Sequence, residues 1–155
     1  MPSLEYLDIS NTKINIILPD SPNLLAFDNS GCIFNNFDLL PIANKYPKLQ
    51  RLRSLTYVDR IFSNSYGIYH RIQLDLNKIS EHPSLEHILC GPASVTCDSI
   101  SQNTHLTTVC LEYPEFIQGT KEQLLSTFHA VVIDSVNTYN TYTVSKWPDY
   151  HPMEW

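Results

Sequence analysis

Glycine is scarce: four in 155 residues, at positions 31, 67, 91 and 119, none close to another. That excludes a glycine-rich phosphate cradle, and neither a G-x-S-x-G elbow nor an H-E-x-x-H pair occurs. Cysteine is equally sparse. Cys32, Cys90, Cys97 and Cys110 form no C-x-x-C pair and no compact disulfide framework. Asn-x-Ser/Thr acceptor sites are missing too, and both absences point to reduced thiols and a cytoplasmic chain. No apolar run reaches 18 residues, so no membrane span is expected. The opening "MPSLEYLD" has no basic segment ahead of an apolar block, so no secretory signal is expected. Charged residues make up only 17% and the net charge is −6, which argues against a nucleic-acid surface. The basic cluster Lys48–Arg53 reads as a solvated face.

What is present is apolar and periodic. Hydrophobic residues are 43% of the chain, enough for one domain with a buried core. The tripeptide Pro-x-Leu recurs, with leucines at Leu4, Leu24, Leu49 and Leu85, and Leu106 marks a degenerate copy. Apolar residues then follow at offsets 3 and 5: Leu7 and Ile9, Phe27, Leu52, Ile88 and Cys90, Val109 and Leu111. Phe128, Val131, Ile133 and Val136 read as a sixth unit. Anchors at this spacing suit a short strand with its preceding turn, pointing into one core while the residues between them point outward.

These units resemble the leucine-rich-repeat family, in an irregular form, from Pro2 to Ile133. The resemblance implies an α/β fold: a solenoid with short parallel strands on the concave side and loops or short helices on the convex side. Residues 1–133 would form five to six units with an insertion near 60–80, and residues 134–155 a C-terminal cap or tail. The long interval between Leu49 and Leu85 has two readings. One is a strand unit through Tyr69, Ile72, Leu74, Asn77 and Ile79. The other, favoured here, is a convex helix at Leu76–Pro83, matching Leu39–Pro47. With no cap ahead of Pro2, the array is expected to be part of a longer one or to self-associate through its open end.

The densest set of metal-ligating types is Glu81, His82, Glu86, His87, Cys90 and Cys97. His87 and Cys90 fall on opposite faces of one strand, so no metal site and no cofactor are expected. His129 near Asp134, and His70 near Asp75, are lone histidines with carboxylates nearby in sequence. The expected function is a non-enzymatic interaction module that binds a protein or peptide on the concave face. Its candidate contacts are Tyr6, Asp8, Asp28, Arg51, Arg53, His87, Thr108 and His129. The alternatives are the substrate-recognition part of an F-box-type ubiquitin-ligase complex, or a small α+β enzyme using His87 or His129.

Overall fold

A computed structural model describes residues 3–10, 12, 18–32, 38–55 and 71–133. Nine strands and three helices lie within these residues. In chain order they are β1 (Tyr6–Asp8), β2 (Ala26–Asp28), α1 (Leu40–Lys45), β3 (Arg51–Leu55), β4 (Ile72–Asp75) and α2 (Leu76–Ile79). There follow β5 (His87–Gly91), β6 (Ala93–Thr96), β7 (Thr108–Glu112), β8 (Glu115–Gln118), α3 (Lys121–Thr127) and β9 (His129–Ile133).

The strands form two separate parallel sheets. One has six strands in the order β1-β2-β3-β5-β7-β9, and the other has three in the order β4-β6-β8. The chain passes from large to small sheet through sharp corners: Pro92 alone separates β5 from β6, and Tyr113-Pro114 separate β7 from β8. The Gly91–Pro92 peptide is cis. Leu52, Ile88 and Val109 from the large sheet share one core with Ile72, Leu74 and Val95 from the small one. Parallel sheets bury their backbones on both sides, which explains the near-continuous apolar runs in β5 and β7.

This architecture corrects the expected family and fold. A leucine-rich-repeat array would present a single curved sheet backed by loops and helices. The chain instead builds a compact α/β fold from two distinct sheets with helices interspersed, so it is neither a solenoid nor a member identified by those repeats. The interval before Leu85 holds both of the forms considered for it. Ile72–Asp75 is a strand of the small sheet, and the one-turn helix Leu76–Ile79 follows at once. Residues 56–70, the proposed sixth-unit position Val136 and the tail 134–155 lie outside the described residues.

Local sequence accounts for the helices. Asp38 Oδ1 accepts from the Leu40 amide at 3.0 Å, Pro41 occupies the first turn, and Ile42 and Ala43 turn inward. Asp75 caps α2 by accepting from the Lys78 amide. Thr120 and Gln123 make a reciprocal capping box at the start of α3. The sequence reading missed α3, although "TKEQ" is the signature of such a box.

His82 fixes the approach to β5. Its ring is 8% exposed, and Nδ1 accepts from the amides of Ser84 and Leu85 at 3.1 and 2.9 Å. Two N–H donors on Nδ1 leave the ring proton on Nε2, which sits 3.0 Å from the carbonyls of both Ala43 and Tyr46. One imidazole therefore ties the end of α1 to the turn that leads into β5.

Candidate functional site

Residue rows across the large sheet follow directly from its register. Tyr6, Ala26, Arg51, His87, Thr108 and His129 form one row near the amino ends of the strands. Two positions on, Asp8, Asp28, Arg53, Leu89 and Cys110 form a second row on the same face. A further two positions along, Leu55, Gly91 and Glu112 end their strands.

Most of the first row is open: Tyr6 is 61% exposed, His129 is exposed, and Arg51, His87 and Thr108 are half-buried, while Ala26 is buried. Asp8, on the edge strand, is exposed as well. Further along the same face the surface closes. Asp28 is 4% exposed and Glu112 1%, while Leu55, Leu89 and Cys110 form a second apolar cluster. Of the eight residues proposed from sequence, the fold brings Asp28 and Arg53 together, with Arg53 Nε 3.6 Å from Asp28 Oδ2. The other six are spread along the open part of the face.

Asp28 is set by its turn. Its Oδ1 accepts from the Ser30 amide at 2.8 Å, and Ser30 Oγ accepts from the Leu55 amide at 3.1 Å. Burial pushes the Asp28 carboxyl above its ordinary value, against the Ser30 hydrogen bonds and the Arg53 charge, which pull it down.

Glu112 is the residue that the sequence reading passed over. It ends the apolar run of β7, and its signal was visible: in "TTVCLEYP" it is the lone charge. Its backbone lies against Gly91, where an added Cβ would fall 2.6 Å from Glu112 Cβ. Glycine there is a requirement of close approach. Burial raises the Glu112 carboxyl to about 7, with the Arg53 charge acting in the opposite direction. Its Oε1 is buried without a hydrogen-bond partner among the described residues, as are Asn29 Oδ1 and the Tyr113 hydroxyl. Unsatisfied buried polar atoms are rare in native folds, and several at one end of a sheet call for an explanation.

The nearby thiols are poor nucleophiles. Burial pushes Cys110 up to about 12, and Cys90 higher still, so both stay protonated at neutral pH. Cys90 and His87 are on opposite faces of β5, as their register requires. Among the described residues no group of three His, Cys, Asp or Glu side chains could hold a metal ion, and no helix is long and apolar enough to cross a membrane. The His70–Asp75 and His129–Asp134 pairs each include one residue outside the described set. A groove of about 350 Å³ between α1 and α2 is lined by Leu40, Asn44, Lys78, Glu81 and His82, and none of Asp28, Arg53 and Glu112 lines it.

These observations overturn the expectation of a non-enzymatic repeat module acting through a concave face. The strands divide between two distinct sheets, and the face that carries the candidate residues closes at its centre over a buried polar cluster in a compact α/β fold. Such architecture is more typical of catalytic folds than of a pure interaction surface. No protein-family model matches the chain, and no curated protein or solved structure shows significant similarity to it.

Proposed function

We propose that the chain is a small α/β enzyme whose acid–base group is Glu112. The observation that carries this reading is a carboxyl that is 1% exposed, with one oxygen unpartnered among the described residues, at the carboxyl end of a parallel strand. Open parallel sheets place their ligand sites at that end of the strands. A carboxyl balanced near pH 7 serves as a base or an acid with similar ease, which is the condition for efficient proton transfer at neutral pH.

The surroundings suit that role. Arg53 supplies a positive charge that stabilises the ionised form, and Asp28 holds the guanidinium from the other side. The apolar cluster Leu55, Leu89 and Cys110 lowers the local dielectric and strengthens both effects. With the thiols protonated, the chemistry is proton transfer by Glu112 and not covalent attack by cysteine. A group this buried acts on a substrate admitted by local opening of the surface above it.

The test is a panel of chromogenic esters, amides and glycosides, assayed from pH 5 to 9 with wild type and Glu112→Gln. Turnover with a pH midpoint near 7 that is lost in the variant supports the reading. Equal turnover by the two proteins removes Glu112 from the reaction.

A further inference from the structure

Tyr113 follows Glu112 and has φ at 48°, the one non-glycine residue with a left-handed backbone among those described. That conformation is unfavourable for a residue with a Cβ, and Pro114 narrows the backbone choice of its predecessor further. Such a conformation persists only where the surroundings hold it.

Arg71 is placed to hold it. Its Nη1 donates to the Tyr113 carbonyl at 2.7 Å and to the Ala93 carbonyl at 3.3 Å, and its Nε pairs with Glu115 at 3.2 Å. One side chain therefore joins the approach to β4, the first residue of β6 and the corner between β7 and β8. That corner begins at Glu112, whose backbone is pressed against Gly91. A corner free to relax would lift Glu112 off Gly91 and let water reach its carboxyl.

We propose that Arg71 is a positioning residue for the Glu112 site, holding the Tyr113 corner so that the Glu112 carboxyl stays sealed against β5. This rests on the reading of Glu112 as the site's acid–base group. Arg53, Cys90, Cys110 and Tyr113 are the other titratable groups coupled to that carboxyl or to its neighbours.

The sign of the effect separates positioning from simple charge loss. Removing a positive charge raises a carboxyl's titration midpoint through the field alone, whereas water entry lowers it. The experiment is carbon-13 NMR titration of glutamate side-chain carboxyls in the full chain, with the Glu112 resonance assigned by its loss in Glu112→Gln. In Arg71→Met the Glu112 midpoint is expected to fall by about half a unit or more toward the ordinary carboxylate range. Ile79→Val, a core change on α2, is expected to leave it in place. A midpoint that stays or rises in folded Arg71→Met overturns the proposal. Should Arg71→Met not fold, Arg71→Lys decides with the charge retained: a fall supports positioning, and no change overturns it. A wild-type midpoint at the ordinary glutamate value would instead remove the acid–base reading itself.

Discussion

His82 and Glu112 are both buried polar side chains, and they are opposites. His82 has both ring nitrogens satisfied by four backbone groups, at 2.9 to 3.1 Å. Glu112 is more deeply buried, yet one of its oxygens has no partner among the described residues. The first arrangement is how a fold uses a polar residue for structure: every donor and acceptor is matched, and the tautomer follows from the matching. The second leaves free energy unspent on stability and keeps a proton-binding group near balance at neutral pH. Burial alone does not distinguish the two; satisfaction does.

The largest expected effect comes from breaking the satisfied side. His82→Ala leaves the Ser84 and Leu85 amides without this acceptor, while the Ala43 and Tyr46 carbonyls keep the Tyr46 and Leu49 amides; two stranded buried donors cost roughly 4 kcal/mol. Urea denaturation should record it as a lower midpoint. A loss below about 1 kcal/mol would mean water replaces the ring freely.

Next is the pH dependence carried by Glu112. Its carboxyl is raised in the fold to about 7 from 4.5. The folded state therefore binds the proton more tightly than the unfolded chain. Its stability contribution is complete below about 4.5 and is lost as pH rises through 7, on the order of 3 kcal/mol in all. Stability measured from pH 4.5 to 8 should fall accordingly, and Glu112→Gln should flatten that decline and be the more stable protein at pH 8. A wild-type profile parallel to that of the variant would contradict the raised carboxyl.

Gly91→Ala should cost about 2 kcal/mol or more, because the new methyl must displace the backbone of Glu112. Its thermal midpoint checks this. Smallest is the edge counterpart of Asp28. Asp8 makes the same turn, accepting from the Ser10 amide at 2.8 Å, but it is exposed. Asp8→Ala should change stability by no more than about 0.5 kcal/mol. Asp28→Ala should cost several times that, since it removes a buried carboxylate that caps its own turn and lies beside a largely buried guanidinium.

The positions of the large-sheet strands were legible in the sequence. Five of the six begin two residues after a landmark leucine, from Leu4–Tyr6 to Leu106–Thr108. Those leucines either belong to the main core or pack against it. The small sheet was not legible. "ASVT" and "EFIQ" are four residues each and follow Gly-Pro and Tyr-Pro, dipeptides that read as turns. A strand that short carries too few alternations to announce itself, and its pairing depends on corners fixed by tertiary contacts. The site was half legible. Asp28 and Arg53 were singled out as outward-facing, but neither their pairing nor their burial was foreseen, because outward was equated with exposed. The repeated Asp-x-Ser at Asp8–Ser10 and Asp28–Ser30 would have flagged the turn.

The abrupt corners between the two sheets also set how the molecule comes apart. β5 and β6 cannot separate by more than one residue's reach, and β7 and β8 by little more. Peeling a strand from one sheet must therefore drag its successor out of the other. β1 has no such successor among the described residues, and after β2 the described chain pairs with the small sheet at the isolated bridge from Asp38 to Gln73. Amide hydrogens should accordingly exchange in a graded order: β1 first, then β2, and β5 to β8 last and together, as one cooperative unit.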